Sequence, residues 1–485
     1  MNVDVIIEKV KNKKRMSKNI RKFTSQADYD AYKAADGWDY PSVSFVETKI
    51  DSQVHYNNEF IMRWKTDAAE KTPSFYGEVS HDDFKKWVNQ ASRPCRIPRD
   101  YSGNTDSIQY YSLNDNYSIT DWTEYDKTDP AYLHMTRIEN INVGCFQDTS
   151  KKIKEIRFNF DKGCPDGFHK WFPHGVQDSE GLFENTSKLW GRYDITPYDT
   201  TISASTASSG HGLNVVSGAS LNASTNGTWS ANSIFSATKK TNSNLLVMTY
   251  WEHFVLTMIF CAYYGTFNTQ DKFTGIIAGS QSQAEAWANG GTDSLLTHDG
   301  QVSTGYQTNT GYRFMHLENP IHGLRWIWGA GWMGYMKANG GQYRMTFDDE
   351  KANIAATLAE GNADYTSGFT VPVGDTAIDD SGESVTGSLP WGRVESKYVT
   401  DIDVYGVPCS LYLDGGSDYK KGVGTSSTGF YDAMWAYNPG SSFDRVAYLG
   451  GTSNAGDLCG GFARDFVADA TYVSWVRRGR VTMNA

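Results

Sequence analysis

The stretch that decides the fold lies near the end of the chain. Residues 445–466 read RVAYLGGTSNAGDLCGGFARDF, and residues 475–481 read WVRRGRV. A short apolar strand runs into a Gly-Gly turn, small residues follow, and bulky or polar residues stand between them. Glycines at such positions let backbone segments pack closely while their neighbours project outward. The pattern predicts a rigid support that carries variable side chains on its surface.

Length and composition favour a globular protein with little helix. The chain has 485 residues, enough for two or three domains with real cores. Aromatic residues make up 14% and charged residues only 21%, and there are 46 glycines, so we expect an α+β, β-rich protein. The net charge of −11 gives no indication of a nucleic-acid partner. The first 22 residues are an exception, because their basic run is either a solvated arm or a tail that docks on an acidic neighbour.

Residues 245–264 are apolar and nearly long enough to span a membrane. Glu252 and His253 lie close to the middle, where a charge in lipid is costly. Asn242 and Asn244 precede the segment and Gly265 follows it, as cap and stop signals would. The segment therefore predicts a buried helix and no membrane insertion. The six cysteines are widely scattered without a Cys-x-x-Cys pair, so free thiols are expected, with a disulfide left open.

Shifts in composition divide the chain into four parts. The N-terminal part contains a predicted helix at 23–36 and a predicted hairpin at 40–56, and the second part has short aromatic-rich strands. The third part is rich in Ser, Thr, Gly and Asn, and is either a linker or a pair of edge strands near 213–216 and 233–236. The predicted parts are 1–60, a basic arm with an anchoring segment; 61–199, a β-rich spacer; 200–244, the connection; and 245–485, the terminal domain.

Further motifs precede the terminal stretch, namely Glu318-Asn319, Gly323 and the alternating Trp326-Ile327-Trp328. Together with the Gly-Gly segment they resemble a C-type-lectin-like domain of the sulfatase-modifying-factor type, as found in phage receptor-binding proteins whose codons are often diversified. In that family Gly-Gly-Ser is often followed by Trp or Tyr, whereas here Gly-Gly-Thr is followed by Ser453. Residues 23–57 resemble the opening of virion proteins from crAss-like gut phages.

These resemblances imply a phage virion protein, a head or tail fibre. Its N-terminal segment would dock on other virion proteins, and its C-terminal domain would bind a glycan or protein on the host surface. Such proteins are commonly homotrimers in the virion, which is assembled in the host cytoplasm. The resemblance implies no enzymatic activity, no cofactor and no metal.

The candidate receptor-binding residues mix tyrosine and tryptophan with asparagine, aspartate and arginine, as recognition surfaces do. Trp326, Trp328 and Phe462 are expected in the core instead. The candidates are Tyr448, Thr452, Asn454, Asp457, Arg464, Asp465, Phe466, Tyr472, Trp475 and Arg478.

Three alternatives stay open. The chain could be a purely structural capsid or collar fibre, and the N-terminal resemblance fits that equally well. A glycan depolymerase would need two facing carboxylates, for which 348–350 and 379–380 are the acidic clusters. A metal-dependent oxidase of the same fold would need a reactive cysteine such as Cys459, with Cys409 as its mate, or a histidine cluster. The histidine pairs 169/174 and 316/322 have the wrong spacing for one helical face, so we expect isolated surface histidines.

Overall fold

The computed structural model describes most of the chain between residues 58 and 323 and a set of strands and short segments after it. About a third of the described residues, 35%, lie in strands and 18% in helices, so the predicted β-rich class is confirmed. The predicted helix at 23–36 and hairpin at 40–56 lie outside the described residues. The described ranges are 58–68, 71–161, 164–165, 167–172, 187–198, 212–219, 229–276, 287–303, 310–323, 326–336, 342–345, 365–370, 376–378, 384–386, 395–402, 406, 408–413, 432–436, 443–451, 459–466 and 477–485.

The described strands and helices follow in chain order. The strands are β1 (Glu59–Lys65), β2 (Ser74–Gly77), β3 (Ser92–Pro98), β4 (Gln109–Tyr110), β5 (Tyr132–Ile138), β6 (Asn142–Asp148), β7 (Ile153–Asn159), β8 (Phe168–Lys170), β9 (Lys188–Gly191), β10 (Thr196–Pro197), β11 (Leu213–Asn214), β12 (Leu246–Val247), β13 (Gly300–Ser303), β14 (Thr310–Phe314), β15 (Leu317–Glu318), β16 (Trp326–Met336), β17 (Gln342–Met345), β18 (Tyr365–Thr370), β19 (Thr376–Ile378), β20 (Ser384–Thr386), β21 (Glu395–Ile402), β22 (Pro408–Leu413), β23 (Ala433–Ala436), β24 (Phe443–Leu449), β25 (Arg464–Phe466), β26 (Arg477–Gly479) and β27 (Val481–Asn484). The helices are α1 (His81–Gln90), α2 (Ala231–Thr241), α3 (Tyr250–Tyr264) and α4 (Thr269–Lys272), with a 3-10 turn at Thr105–Ser107.

Three larger sheets organise the described residues. Two are antiparallel, with the strand orders β2-β1-β7-β6-β8 and β12-β27-β9-β5-β3-β4. The third runs β18-β17-β16-β24-β25-β23-β21-β22, and β26 pairs in parallel with β16. Smaller sheets join β10 to β11, β13 to β14 and β15, and β19 to β20. The predicted Trp-Ile-Trp strand is confirmed as the start of β16, whereas the two tryptophan side chains lie outside the described part of the chain.

Helix α3 is the predicted buried helix. Residues 250–262 are all buried, as expected for a helix that is apolar on every side. Its N-terminus is capped by Thr249 and Glu252 rather than by the predicted asparagines: the Thr249 hydroxyl accepts from the Glu252 N–H at 3.0 Å, and the Glu252 carboxylate accepts from the Thr249 N–H at 2.8 Å. It ends where predicted, at Gly265, whose φ of 75° suits glycine. Within the described ranges, no helix combines the length and the apolar character needed to cross a bilayer.

The connection between the predicted domains contains a helix as well as a strand. Leu213 and Asn214 form β11, in agreement with one of the two readings. Residues 233–236, read as an edge strand, lie instead in α2. The reason is local, because the Ser230 hydroxyl accepts from the Ser233 N–H at 3.1 Å and the Ser233 hydroxyl lies 2.8 Å from the Ser230 N–H. That reciprocal cap starts a helix whose inner face carries Ile234 and Ala237, three residues apart.

The core crosses the predicted boundary between spacer and terminal domain. Strand β27 pairs with β9, and Thr482 lies opposite Trp190. One hydrophobic core combines Phe158, from the predicted spacer, with Phe254 and Phe462, from the predicted terminal domain. The described residues of the predicted spacer therefore share a core with residues of the predicted terminal domain. Local composition did not indicate this, because the pairing joins segments far apart in sequence.

Candidate functional site

Four of the ten residues predicted to form an exposed binding surface are buried. Tyr448 and Arg464 have no exposed surface, Arg478 retains 2% and Asp465 retains 9%. The prediction that these side chains face solvent is wrong, whereas Phe462 lies in the core as expected. Phe466 ends β25 with its side chain outside the described part of the chain, and five candidates lie wholly outside it: Thr452, Asn454, Asp457, Tyr472 and Trp475.

The two buried arginines have internal partners. Arg464 donates through Nη1 to the carbonyl oxygen of Gly461 at 2.8 Å and through Nε to the hydroxyl of Tyr250 at 3.1 Å. Arg478 contacts the carboxylate of Asp194 and donates to the carbonyl oxygen of Asn319 at 3.0 Å. Tyr448 and Asp465 are opposite each other on neighbouring strands, which packs them against the same interior. These contacts join distant parts of the chain, and one nitrogen of each guanidinium, Nη2 of Arg464 and Nε of Arg478, has no partner among the described residues.

A further group of buried charges surrounds Trp122. The guanidinium carbon of Arg192 lies 3.6 Å from the ring centroid, and that of Arg313 lies 4.8 Å away. The Asp293 carboxylate accepts from Arg192 at 3.2 Å and from the Tyr193 hydroxyl at 2.8 Å. Burial acts to raise the pKa of Asp293, but the Arg192 charge and the Tyr193 hydrogen bond hold it below its usual value. The group fixes the loop that carries Trp122.

The histidine pair at 316 and 322 is buried, so the prediction of surface histidines is wrong there. His322 Nε2 lies 2.8 Å from the carbonyl oxygen of Phe273, and burial lowers the pKa of His322 to about 4. His169 is exposed, as predicted, and His174 lies outside the described residues. Across the described ranges, no three His, Cys, Asp or Glu side chains lie close enough to hold a metal ion.

The residues named for the enzymatic alternatives are buried or not described. Cys459 is fully buried, and the side chain of Cys409, in β22, lies outside the described part of the chain. The acidic clusters at 348–350 and 379–380 also lie outside it. Cys95 and Cys261 are free, buried thiols, in line with the expectation of free cysteines. Burial raises the pKa of Cys95 to about 12, so this thiol is a poor nucleophile.

A cavity of about 300 Å³ opens at the end of the sheet that contains β3, β12 and β27. This volume is at the lower end of the range for small-molecule sites. Four chain segments meet there: the loop after β3, the last turn of α2, the turn before β12, and the end of β27. The lining residues are Tyr101, Ser102, Gly103, Lys239, Ser243, Asn244, Leu246, Met483 and Asn484.

The cavity has an apolar base and a polar rim. Leu246 and Met483 are almost fully buried, whereas Ser102, Ser243 and Asn244 are exposed. One hydrogen-bonding residue, Asn242, ties two walls together, because its side-chain amide donates to the carbonyl oxygens of residues 99 and 101 at 2.9 and 2.8 Å. The walls are therefore held in place before any ligand arrives, which lowers the entropic cost of binding.

Several polar groups of the cavity have no protein partner. The hydroxyl of Tyr101 is buried and makes no hydrogen bond within the described residues. The side chains of Ser102, Ser243 and Asn244 likewise make none there. The Tyr101 hydroxyl has almost no accessible surface, so the polar groups that a molecule in the cavity can reach include the hydroxyls of Ser102 and Ser243 and the amide of Asn244. The cavity thus offers hydroxyl and amide groups to a small polar molecule.

Lys239 is the one charged residue among those that line the cavity. Its ammonium group donates to the Ser243 carbonyl oxygen at 3.4 Å, which leaves other donors available. The rim therefore favours neutral or anionic ligands. Among the residues around this site, sequence patterns single out Asn242 and Asn244, as helix-cap signals. Their meeting with the end of β27 depends on strand pairing, which no local pattern indicates.

Comparison with known protein families finds no family model that matches the chain, and comparison with curated proteins finds no match either.

Proposed function

We propose that this chain is a structural protein of a bacteriophage particle that binds a glycan on the host cell surface. The proposal joins the sequence resemblances to the chemistry of the described cavity. In it, the N-terminal segment docks on other virion proteins, and the chain acts as a homotrimer without catalysing a reaction. The C-type-lectin-like architecture of the terminal region is part of the same proposal.

The observation that carries the proposal is the cavity beside Tyr101. Its size suits one small ring, its base is apolar, and its rim holds hydroxyl and amide groups without protein partners. Sugars offer the matching set, because each ring has several hydroxyl groups around an apolar face. Arg464 and Arg478 are buried, so a receptor cannot reach them. We therefore place the proposed receptor contact at the cavity and not at these arginines.

Several weak sugar sites on one particle can bind a cell surface strongly together. A cavity of this size contacts too few ligand atoms for tight binding on its own. Several copies on one particle make the later contacts intramolecular, which raises the overall affinity by orders of magnitude. A virion protein present in many copies therefore suits a small sugar site better than a single secreted binder does.

The test uses the labelled full-length chain and a panel of host strains and their purified surface polysaccharides. The variant combines Lys239→Gln with Asn244→Ala, which removes the cationic donor and one rim amide. We expect cell binding to fall at least about tenfold, which corresponds to ~1.4 kcal/mol. Immunogold electron microscopy of intact particles, with antibody against the chain, checks its place in the virion.

Lys240→Gln is the matched control, because Lys240 is the exposed neighbour of Lys239 and does not line the cavity. It removes the same charge and should leave cell binding within about twofold. Equal losses in both variants would show a general effect of charge and contradict the proposal. A fall in polysaccharide viscosity on incubation with the chain would favour a depolymerase instead.

A further inference from the structure

Strand β3 and the residue after its end carry three arginines at a spacing of three, Arg93, Arg96 and Arg99. Each guanidinium lies on a tyrosine ring: Arg93 on Tyr110 at 4.4 Å and Arg99 on Tyr198 at 4.1 Å. None of the three forms an ion pair with a described residue. Three arginines without carboxylate partners are unusual in a chain of net charge −11.

Arg96 is held differently from the other two. Its guanidinium lies between two rings, 4.3 Å from the centroid of Tyr125 and 3.9 Å from that of Tyr132. Its Nε donates to the side-chain oxygen of Gln109 at 2.6 Å. Both of its Nη groups lack a hydrogen-bond partner among the described residues. The head group is thus fixed on three sides while the fork of terminal donors stays open.

The neighbouring arginines lack this combination. Arg99 uses Nη1 on the side-chain oxygen of Asn214 at 2.7 Å and Nη2 on the carbonyl oxygen of Leu213 at 2.9 Å, so its fork is filled. Arg93 is exposed and rests on one ring only. Arg96 alone among the three is both immobilised and unfilled.

The residues around Arg96 are themselves fixed. Tyr132 begins β5, where it pairs with Pro98 of β3. Tyr125 follows Trp122, whose indole N–H donates to the carbonyl oxygen of Leu295 at 2.6 Å. A guanidinium held before its ligand arrives loses little freedom on binding, which is why such a site binds more tightly than a mobile one.

The surroundings of Arg96 contain a neutral histidine and a nearby carboxylate, and neither fills the terminal fork of the guanidinium. His134 lies opposite Arg96 across the β3–β5 pair and is neutral, because burial lowers its pKa to about 3. Asp126 is near but beyond ion-pair distance, and its carboxylate accepts from the N–H and hydroxyl of Thr128 at 2.9 and 2.7 Å. An external anion therefore has a free position at the fork.

We propose that Arg96 is a preformed carboxylate-binding fork for an acidic polysaccharide. A planar guanidinium matches a planar carboxylate with two parallel hydrogen bonds. The choice of a polysaccharide rests on the proposed function, because the segment that follows β3 forms one wall of the cavity beside Tyr101. A host-surface polysaccharide that carries carboxylates is the ligand class that fits both the proposed glycan binding and this fork.

The experiment measures binding of polygalacturonate, a carboxylate polysaccharide, to the full-length chain by calorimetry at low ionic strength. Arg96→Gln should weaken binding at least about tenfold. Arg96→Lys keeps the charge but loses the fork, and should weaken it several-fold. Arg93→Gln, which removes an equal charge from the same strand, should stay within about twofold. A direct readout is the NMR signal of the Arg96 Nε–H in the unmodified chain, which should shift on titration with the polymer.

Four outcomes would overturn the inference. They are equal losses in Arg93→Gln and Arg96→Gln, no binding of polygalacturonate by the unmodified chain, tighter binding of poly-L-glutamate, and tighter binding of polyphosphate. Near-UV circular dichroism checks that each variant is folded. If Arg96→Gln does not fold, Arg96→Lys takes its place in the binding comparison. If any of these four outcomes occurs while the cavity variant still loses cell binding, the fork is refuted and the proposed function stands. If only the cavity variant loses cell binding, the polygalacturonate affinities of the Arg96 variants decide whether the fork exists.

Discussion

The ion pair between Lys188 and Glu252 leads to the sharpest prediction about stability. The ammonium of Lys188, on β9, contacts the carboxylate of Glu252, in the first turn of α3, and both side chains are at most 1% exposed. The second carboxylate oxygen caps the helix by accepting from the Thr249 N–H at 2.8 Å. The pair therefore joins the sheet of the predicted spacer to the central helix of the predicted terminal domain.

Glu252→Gln removes the negative charge and keeps nearly the same shape. It leaves the Lys188 ammonium buried without a carboxylate, which typically costs about 3–5 kcal/mol. Loss of part of the helix cap adds up to ~1 kcal/mol. We expect the free energy of unfolding to fall by roughly 3–6 kcal/mol in total. Adding Lys188→Met removes the unpaired ammonium, so the double variant should be more stable than Glu252→Gln alone.

The stabilities of the single and the double variant are measured by equilibrium unfolding of the full-length chain in urea at pH 7. Far- and near-UV circular dichroism follow the unfolding. Glu139→Gln is the control, because Glu139 pairs with Arg137 at 3.8 Å on the surface, with side chains 44% and 35% exposed. That change should cost less than about 1 kcal/mol. A loss below ~1 kcal/mol in Glu252→Gln, or a double variant less stable than the single one, would refute the reasoning.

Three further predictions concern protonation, a turn and a thiol. Lowering the pH from 7 to 5 should destabilise the fold by roughly 2 kcal/mol for each of His134 and His253, because burial lowers their pKa to about 3 and only the unfolded chain is protonated below its pKa of ~6.5. A urea midpoint that does not change with pH would contradict this. Gly450→Ala should cost at least ~2 kcal/mol in urea unfolding, because its φ is 85° and a Cβ would lie 2.4 Å from a backbone oxygen. Gly103→Ala, with a φ of 96° and open space, should cost less, and equal losses would refute the steric reason. Iodoacetamide should modify Cys95 only after unfolding, as mass spectrometry of the intact chain can show, since this thiol is buried.

Local signals predicted the local structure well. The apolar run before Gly265 predicted a buried helix, since a long segment without a polar face can only be buried or in lipid, and its charged centre disfavours lipid. The short aromatic-rich strands predicted for residues 61–199 are present, and β7 is one of them. The segment at 233–236 was misread because its alternation is short, and the serine cap at 230 outweighs it.

The site was harder to predict because it depends on distant partners. Arginines in a glycine-rich stretch are typical of a surface, yet Arg478 is buried because Asp194 lies far away in sequence and close in space. The cavity joins Tyr101 to Asn484 through strand pairing alone, so neither residue carries a signal by itself. The arginine spacing at 93, 96 and 99 was visible in the sequence. The binding role proposed for Arg96 depends on the tyrosine rings around it, and the fold brings these rings together.

The last described strand has a consequence for how the protein is made. Arg480, next to β27, donates to the carbonyl oxygen of Arg192 at 3.0 Å across a separation of 288 residues. A ribosome that adds ~5–20 residues per second needs roughly 15–60 s to cover that length. During that interval one edge of β9 has no partner strand. Such an edge can form hydrogen bonds with nascent chains on neighbouring ribosomes. We expect newly made chains to need shielding by a chaperone until translation delivers the closing strand.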